Sequence, residues 1–378
     1  MENLVTPLVD PGFWAGRRVF LTGHTGFKGS WLALWLHQMG AEVQGYALAP
    51  PNSPNLFALA GISELLHNRI GDLRDGAHLR ACLTSFAPEV VLHLGAQALV
   101  SEGYADPVGT FATNVQGTVN LLEAVRYCPS VGAVVVVSSD KCYENREYTA
   151  TDRGYHEDDP MGGYDPYSAS KGCTELVASA YRRSFLLQRG VPLASARAGN
   201  VIGGGDWSPA RLVPDVLAAF SAGRPVLLRN PDGVRPWQHV LEPLAGYLAL
   251  AQRLHQEGAP WAEGWNFGPD PADARSVGWV VEHLARAWGP DACWDKGDAP
   301  IHEAGTLRLD CHKAHTRLGW QPRWDTATAL DRSLAWFRAW QQGADMRQYS
   351  RAEIDAYCDA PGLAPTAPTL HGDTSCPV

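Results

Sequence analysis

An α/β architecture, a doubly wound parallel sheet carrying a smaller α/β lobe, is what this chain of 378 residues predicts, on three observations. Short apolar runs alternate with helix-length amphipathic segments through the first half. A glycine-rich turn joins the first of these runs to the first helix. In the second half the alternation fades and Pro, Gly and Trp become frequent, as in Gly203–Trp207, Arg235–Trp237 and Trp320–Trp324. Alternating β and α segments pair as parallel strands with helices on both faces, because each connection must run back across the sheet.

The elements follow in order. Arg17–Thr22 reads as the first strand and Phe27–Met39 as a helix rich in Trp and Leu. Glu42–Ala47 is a second strand, Arg69–Gly71 a short third and Val90–Gly95 a fourth. Ala133–Ser138, with four consecutive valines, predicts a central strand buried on both faces. Ahead of it Phe111, Val115, Val119, Leu122 and Val125 fall at helical spacing, and Pro107 opens that helix where its missing N–H costs nothing. Tyr167–Gln188 is another long helix and Leu193–Ala198 another strand. Residues 1–199 are therefore expected to form the sheet domain, with part of 238–273 returning to it. Residues 200–237 and 274–358 are expected to form the lobe over the sheet's carboxyl edge, where open α/β folds bind ligands. The Pro- and Thr-rich segment 360–378 is expected to be disordered.

Composition narrows the partners. A net charge of −9 with both signs intermixed gives no basic face for nucleic acid. Eight cysteines without a C-x-x-C pair suggest neither a zinc site nor a disulfide framework, and fit reduced thiols in cytoplasm. No signal-peptide pattern opens the chain, and no apolar run approaches the roughly 20 residues that span a membrane.

Gly23-His24-Thr25-Gly26-Phe27-Lys28-Gly29 stands between strand and helix with the spacing G-x-x-G-x-x-G. Glycines there allow a tight turn and let a pyrophosphate approach backbone amides at a helix N-terminus, as in a Rossmann-type dinucleotide site. Gly23, Thr25, Gly26, Phe27 and Gly29 are the expected contacts, with Asp72 and Leu73 beside the adenine. The acid that usually ends the second strand to hold the ribose hydroxyls is missing from Gly45-Tyr46-Ala47-Leu48-Ala49.

Tyr167-Ser168-Ala169-Ser170-Lys171 is Y-x-x-x-K, which puts Tyr167 and Lys171 on one helix face, one turn apart. An ammonium beside a phenol favours phenolate and is expected to lower its pKa. Ser138-Ser139-Asp140-Lys141 ends the valine strand, so both segments are expected to meet at the sheet's carboxyl edge.

The glycine turn, Ser139 and Y-x-x-x-K together resemble the extended short-chain dehydrogenase/reductase family, in its branch acting on nucleotide sugars. Family dehydratases carry Asp-Glu after the Ser or Thr. Asp140-Lys141 instead resembles the CDP-glucose 4,6-dehydratases, as do GHTGFKGSW at Gly23–Trp31, SSDKCY at Ser138–Tyr143 and GGYDPYSASK at Gly162–Lys171. RAGNVIGGGDW at Arg197–Trp207, RPWQHVLEP at Arg235–Pro243, WNFGP at Trp265–Pro269 and LDC at Leu309–Cys311 match too. Ser101-Glu102 departs from the arginine and serine of the family pattern.

The resemblance implies an NAD-dependent dehydration of CDP-D-glucose to CDP-4-keto-6-deoxy-D-glucose. Oxidation at C4 acidifies C5, water leaves from C6, and hydride returns to C6. It assigns Tyr167 as base at the C4 hydroxyl, Lys171 as its tuner and ribose contact, Ser139 to the C4 oxygen, Asp140 as C6 acid and Lys141 to the C5 proton. Asn200, Arg211, Arg235 and His239 are the expected substrate contacts, with arginine suited to pyrophosphate by its planar fork. Trp207 and Trp237 read as packing. A homodimer through the helices 107–127 and 167–188 is implied, with a tetramer left open. The rival readings are a nucleotide-sugar 4-epimerase, which needs neither the acid nor the C5 base, a dehydratase of another nucleoside-diphosphate hexose, and a non-catalytic dinucleotide sensor.

Overall fold

The computed structural model describes residues 7–146, 154–297 and 307–363. Seven parallel strands form one sheet: β1 (Arg18–Thr22), β2 (Glu42–Ala47), β3 (His67–Ile70), β4 (Val90–His93), β5 (Ala133–Val137), β6 (Leu193–Ala198) and β7 (Gly264–Phe267). Their order is β7-β6-β5-β4-β1-β2-β3, with Val19 level with both Val43 and Val90, and Val134 with Leu193. The chain runs outward from β1 to β3 and then crosses back to β4, so the order reverses between β1 and β4. That reversal opens a crevice at the strands' carboxyl ends. β7, from the stretch expected to return to the sheet, adds its last edge beside β6.

Strand periodicity sorts the core into two layers, because successive side chains point to opposite faces. Val19, Leu21, Val135 and Val137 join one cluster with helices α1 (Phe27–Gln38) and α6 (Leu241–Glu257). Phe20, Val91, Val134 and Val136 join the other, under α2 (Gly76–Phe86), α3 (Gly117–Arg126) and α4 (Pro166–Tyr181). The helix expected from Pro107 is broken into Pro107–Phe111, a π turn at Ala112–Gln116, and α3. The wide turn carries Asn114, whose amide nitrogen reaches Ser170 Oγ at 2.8 Å while its oxygen accepts from Gln97 N at 2.8 Å. The helix expected to run to Gln188 likewise ends as α4 at Tyr181, followed by a π turn at Arg182–Leu186.

The lobe has its own core. Val213, Leu217 and Phe220 of α5 (Leu212–Ser221), Val280 and Leu284 of α7 (Val277–Trp288), and Leu330 and Leu334 of α8 (Thr326–Gln341) pack around Trp237. Trp207 meets Trp336 and Trp340 edge to face, and Trp237 Nε1 donates to Arg275 O, so both are packing residues. Helix α9 (Met346–Asp359), within the span assigned to the lobe, packs instead on α1, with Tyr357 edge-on to Trp35. Most of the tail expected to be disordered, 364–378, lies outside the described residues. Among the described residues no helix is long and apolar enough to cross a membrane.

Candidate active site

The glycine turn sits at the reversal between β1 and β4. Gly23 has φ +78°, and a Cβ there would stand 2.7 Å from Gly95 N, while one on Gly29 would stand 2.0 Å from Gly23 O. Only hydrogen fits at either place. Gly26 caps α1 without a side-chain hydrogen bond, so the first amides of the helix are left to a ligand. Thr25 Oγ1 donates to Leu48 O at 2.8 Å and pins the turn to the end of β2. Phe27 begins the helix beside it. These features fit the pyrophosphate of a dinucleotide. Leu73 is buried against Gly95 and Gly117. The Asp72 carboxylate is gripped by the Arg74 guanidinium at 2.6–3.0 Å, which holds it below the usual carboxylate range.

Ser139, Asp140 and Lys141 leave the end of β5. Ser139 is extended and caps a single 3₁₀ turn, Asp140–Cys142, by accepting from Lys141 N at 3.2 Å. It donates to Asp140 Oδ1 at 2.9 Å. Asp140 is 2% exposed, and its Oδ2 has no hydrogen-bond partner among the described residues. Burial raises this carboxyl's pKa, opposed by the Lys141 ammonium, the Ser139 hydrogen bond and Arg235. The consequence is an acid that keeps its proton above the usual range, beside Gly199.

Tyr167 and Lys171 come from α4, whose start is fixed by Pro166 at its first position and by Asp165, which accepts from Ser168 N at 3.0 Å. Both side chains are buried. The expected lowering of the phenol pKa is not what the described structure gives. Burial pushes Tyr167 up to about 12, and the Ser139 hydrogen bond and Arg211 charge only partly offset it. Burial also lowers Lys171 to about 8, against the fields of Cys142 and Glu175, and its Nζ lies 3.5 Å from Val137 O. At Tyr167 desolvation outweighs both the hydrogen bond and the guanidinium charge.

The substrate contacts divide. Arg211 is held by Asp206 at 3.1 Å, and its charge reaches both Tyr167 and Lys28. Arg235 lies opposite Arg275 in a short antiparallel ribbon, close enough to lower Asp140. Asn200 is half-buried, and its carbonyl accepts from Gln238 N at 3.0 Å. His239 is not in the site. It is fully buried, with Glu353 Oε1 at 3.1 Å and the rings of Trp31 and Trp324 against it. A distant helix supplies its partner, and no face of the ring is left for a ligand.

Two residues escaped the sequence reading. Lys28, inside the glycine turn, donates to Tyr247 OH at 3.1 Å, and burial together with the Lys171 and Arg211 charges lowers it to about 7. Its place in the G-x-x-G-x-x-G spacing was a usable signal. Glu175, one turn beyond Lys171, extends the stripe to Y-x-x-x-K-x-x-x-E. Ser101-Glu102 proves to be part of a short helix, Val100–Ala105, that packs beside Tyr167 through Gly103; both departing side chains are exposed.

A model of the NAD dependent epimerase/dehydratase family matches residues 19–262. The chain is 53% identical over 359 residues to the CDP-glucose 4,6-dehydratase of Salmonella typhimurium, covering 93% of this chain and 99% of that one. It is 32% identical over 284 residues to the dTDP-glucose 4,6-dehydratase of Streptomyces antibioticus, covering 71% and 75%. Among solved structures, MoeE5 in complex with UDP-glucose and NAD matches with TM-score 0.72 at 26% identity, over 86% of this chain and 99% of that one. The NAD complex of dTDP-glucose 4,6-dehydratase from Bacillus anthracis matches in fold with TM-score 0.71 at 21% identity, over 88% and 99%. With the glycine turn, the Ser139-Asp140 strand end and Y-x-x-x-K all at one sheet edge, the chain belongs to the NAD dependent epimerase/dehydratase family.

Proposed function

We propose that the chain is an NAD-dependent CDP-glucose 4,6-dehydratase that turns CDP-D-glucose into CDP-4-keto-6-deoxy-D-glucose. The observation that carries the reading beyond the family is Asp140, a buried carboxyl raised in pKa with one oxygen unpaired. A 4-epimerase has no use for such an acid. The identity to the Salmonella enzyme, over nearly its whole length, supports the nucleotide.

Bound NAD supplies a hydride acceptor at C4, a donor at C6, and a cationic ring whose field favours phenolate at Tyr167. Tyr167 takes the C4 hydroxyl proton, and Ser139 Oγ hydrogen-bonds the oxygen left behind. Lys171 holds positive charge one turn away. Asp140 gives its proton to the C6 hydroxyl as water leaves, while Lys141, in its neutral amine form, takes the C5 proton and gives it back to C5 once hydride has returned to C6. Asn200, Arg211 and Arg235 hold the substrate's pyrophosphate, the arginines by charge and fork geometry. The same reading makes the protein a cytoplasmic homodimer. Exposed Val108, Phe111, Leu176 and Phe185 in the two helical segments support the pairing, and every described cysteine is free.

The test is incubation with CDP-, dTDP-, UDP- and GDP-glucose. CDP-glucose is expected to give the 4-keto product fastest, and deuterium placed at C4 is expected at C6. Label lost to solvent, or a stoichiometric need for NADH, overturns the reaction; a monomer by light scattering at micromolar concentration overturns the dimer.

A further inference from the structure

Behind the catalytic pair lies a carboxylate that the reaction above leaves unused. Glu175 is buried on α4 and accepts from Ser138 Oγ at the end of β5, from Ser195 Oγ of β6 at 2.6 Å, and from Arg197 Nη2 at 2.8 Å. Arg197 is itself fastened, donating to Tyr143 OH at 2.7 Å and Glu157 O at 2.8 Å. Tyr143 OH in turn donates to Asn266 Oδ1 of β7 at 2.7 Å. The carboxylate therefore ties the catalytic helix to β5 and β6 directly, and to β7 through Arg197 and Tyr143, and one of its ties is the residue preceding Ser139.

A buried ion pair is more often neutral or costly for stability than a gain, so folding alone is a weak reason for this one. Its position suggests another. Residues 167, 171 and 175 follow at i, i+4 and i+8, and so lie along one helix stripe. Lys171 faces Lys28 and His93 as well as Cys142 and Glu175. Among these, the ionised carboxylate is Glu175, kept below its ordinary range against burial by Arg197, Ser138 and Ser195. Arg182 also faces Glu175 from the following turn.

We propose that Glu175 is a positioning residue for C4 oxidation, holding Lys171 in its charged form beside Tyr167 while anchoring the strand end that presents Ser139. The motif is thus a functional triplet, Tyr167-Lys171-Glu175. The inference rests on the reading of Tyr167 and Lys171 as the oxidising pair. Burial has already brought Lys171 down to about 8 with Glu175 in place, so a further fall would carry it into the working range. Without the carboxylate the ammonium is lost at lower pH, and with it the support for phenolate.

The test compares Glu175→Gln and Glu175→Asp in the holoenzyme, following NADH formation from C4 oxidation in a single turnover across pH 6–9. Glu175→Gln is expected to move the alkaline limb down by about 1 pH unit and to cut the rate roughly tenfold at pH 8, with substrate KM little changed. Glu175→Asp keeps the charge, and is expected to leave the limb in place and retain at least half the rate. It also serves alone should the amide variant not fold. Equal losses at every pH in both variants, tracking a fall in Tm, overturn the proposal and leave a scaffold residue. Failure of the underlying reading looks different: Tyr167→Phe would then still oxidise C4.

Discussion

Ser139 Oγ spends its proton on Asp140 Oδ1, 2.9 Å away, and the carboxyl's other oxygen has no partner among the described residues. A hydroxyl with one proton cannot also give it to a substrate oxygen, so substrate entry must re-aim Ser139, or let it accept while Asp140 donates. The two side chains work as a unit. Asp140→Asn is expected to leave C4 oxidation within about tenfold of wild type and to lower 6-deoxy product by roughly 10²–10⁴-fold, because an amide has no proton to release to the departing water. NADH absorbance would then persist after substrate is added. Product formed at near wild-type rate removes Asp140 from the acid role.

Tyr167→Phe is expected to lower turnover by about 10²–10⁴-fold, the usual cost of a lost general base, with NAD affinity close to wild type. The ring still fills its buried place. A two- or three-fold loss means that another group takes the C4 proton.

Lys141→Met separates the half-reactions. C4 oxidation should survive and reduced cofactor accumulate, while exchange of the C5 proton with deuterated solvent falls sharply. Exchange at the wild-type rate leaves Lys141 without the role proposed for it.

Arg235→Ala and Arg211→Ala are expected to raise KM by about 10–100-fold, since a charged hydrogen bond is worth about 1.5–3 kcal/mol, with smaller changes in kcat. His239→Gln, by contrast, should lower Tm and leave KM unchanged, because the ring is sealed against Glu353 and Trp324. A KM effect equal to that of the arginines would return His239 to the site.

Stability should depend on Glu242, buried in α6, whose pKa burial raises to about 7 even though it accepts from Trp324 N at 2.8 Å and Tyr357 OH at 2.8 Å. The folded carboxyl binds a proton more tightly than the unfolded one. Its contribution is therefore complete below pH ~4.5 and is lost as pH rises through about 7, some 3 kcal/mol in order of magnitude. Glu242→Gln, neutral throughout, should flatten that part of the urea-unfolding stability between pH 5 and 8. Equal slopes in both proteins count against it.

The sheet was legible because its strands are short apolar runs punctuated by glycine turns; β2 and β6 stand at the expected bounds. The π turns at Ala112–Gln116 and Arg182–Leu186 were not: the extra residue rotates the helix that follows by about 100°, so Phe111, read on the inward stripe, is exposed while the polar Asn114 is buried, and polar residues at the inward positions give no apolar signal. Among the candidate site residues, those that motifs mark by spacing are the ones the fold brings to one sheet edge. Sequence put His239 with the substrate contacts because the residue lies inside the recognisable stretch Arg235–Pro243, whereas its burial depends on Glu353, more than a hundred positions away. The raised phenol of Tyr167 had the same origin: proximity of Lys171 can be counted along a helix, and desolvation cannot.

Helix α9 closes the surface of α1 with the last described helix of the chain. Tyr357 covers Trp35, Gln38 donates to Asp355, and Arg347 binds the carbonyls of Ala60 and Gly61. During synthesis at ~5–20 residues per second, β1 and α1 leave the ribosome well before α9 is made, and their outer apolar face waits uncovered for many seconds. The glycine turn opens α1, so a nascent or C-terminally clipped chain carries its cofactor loop on a helix that has not yet met its cover.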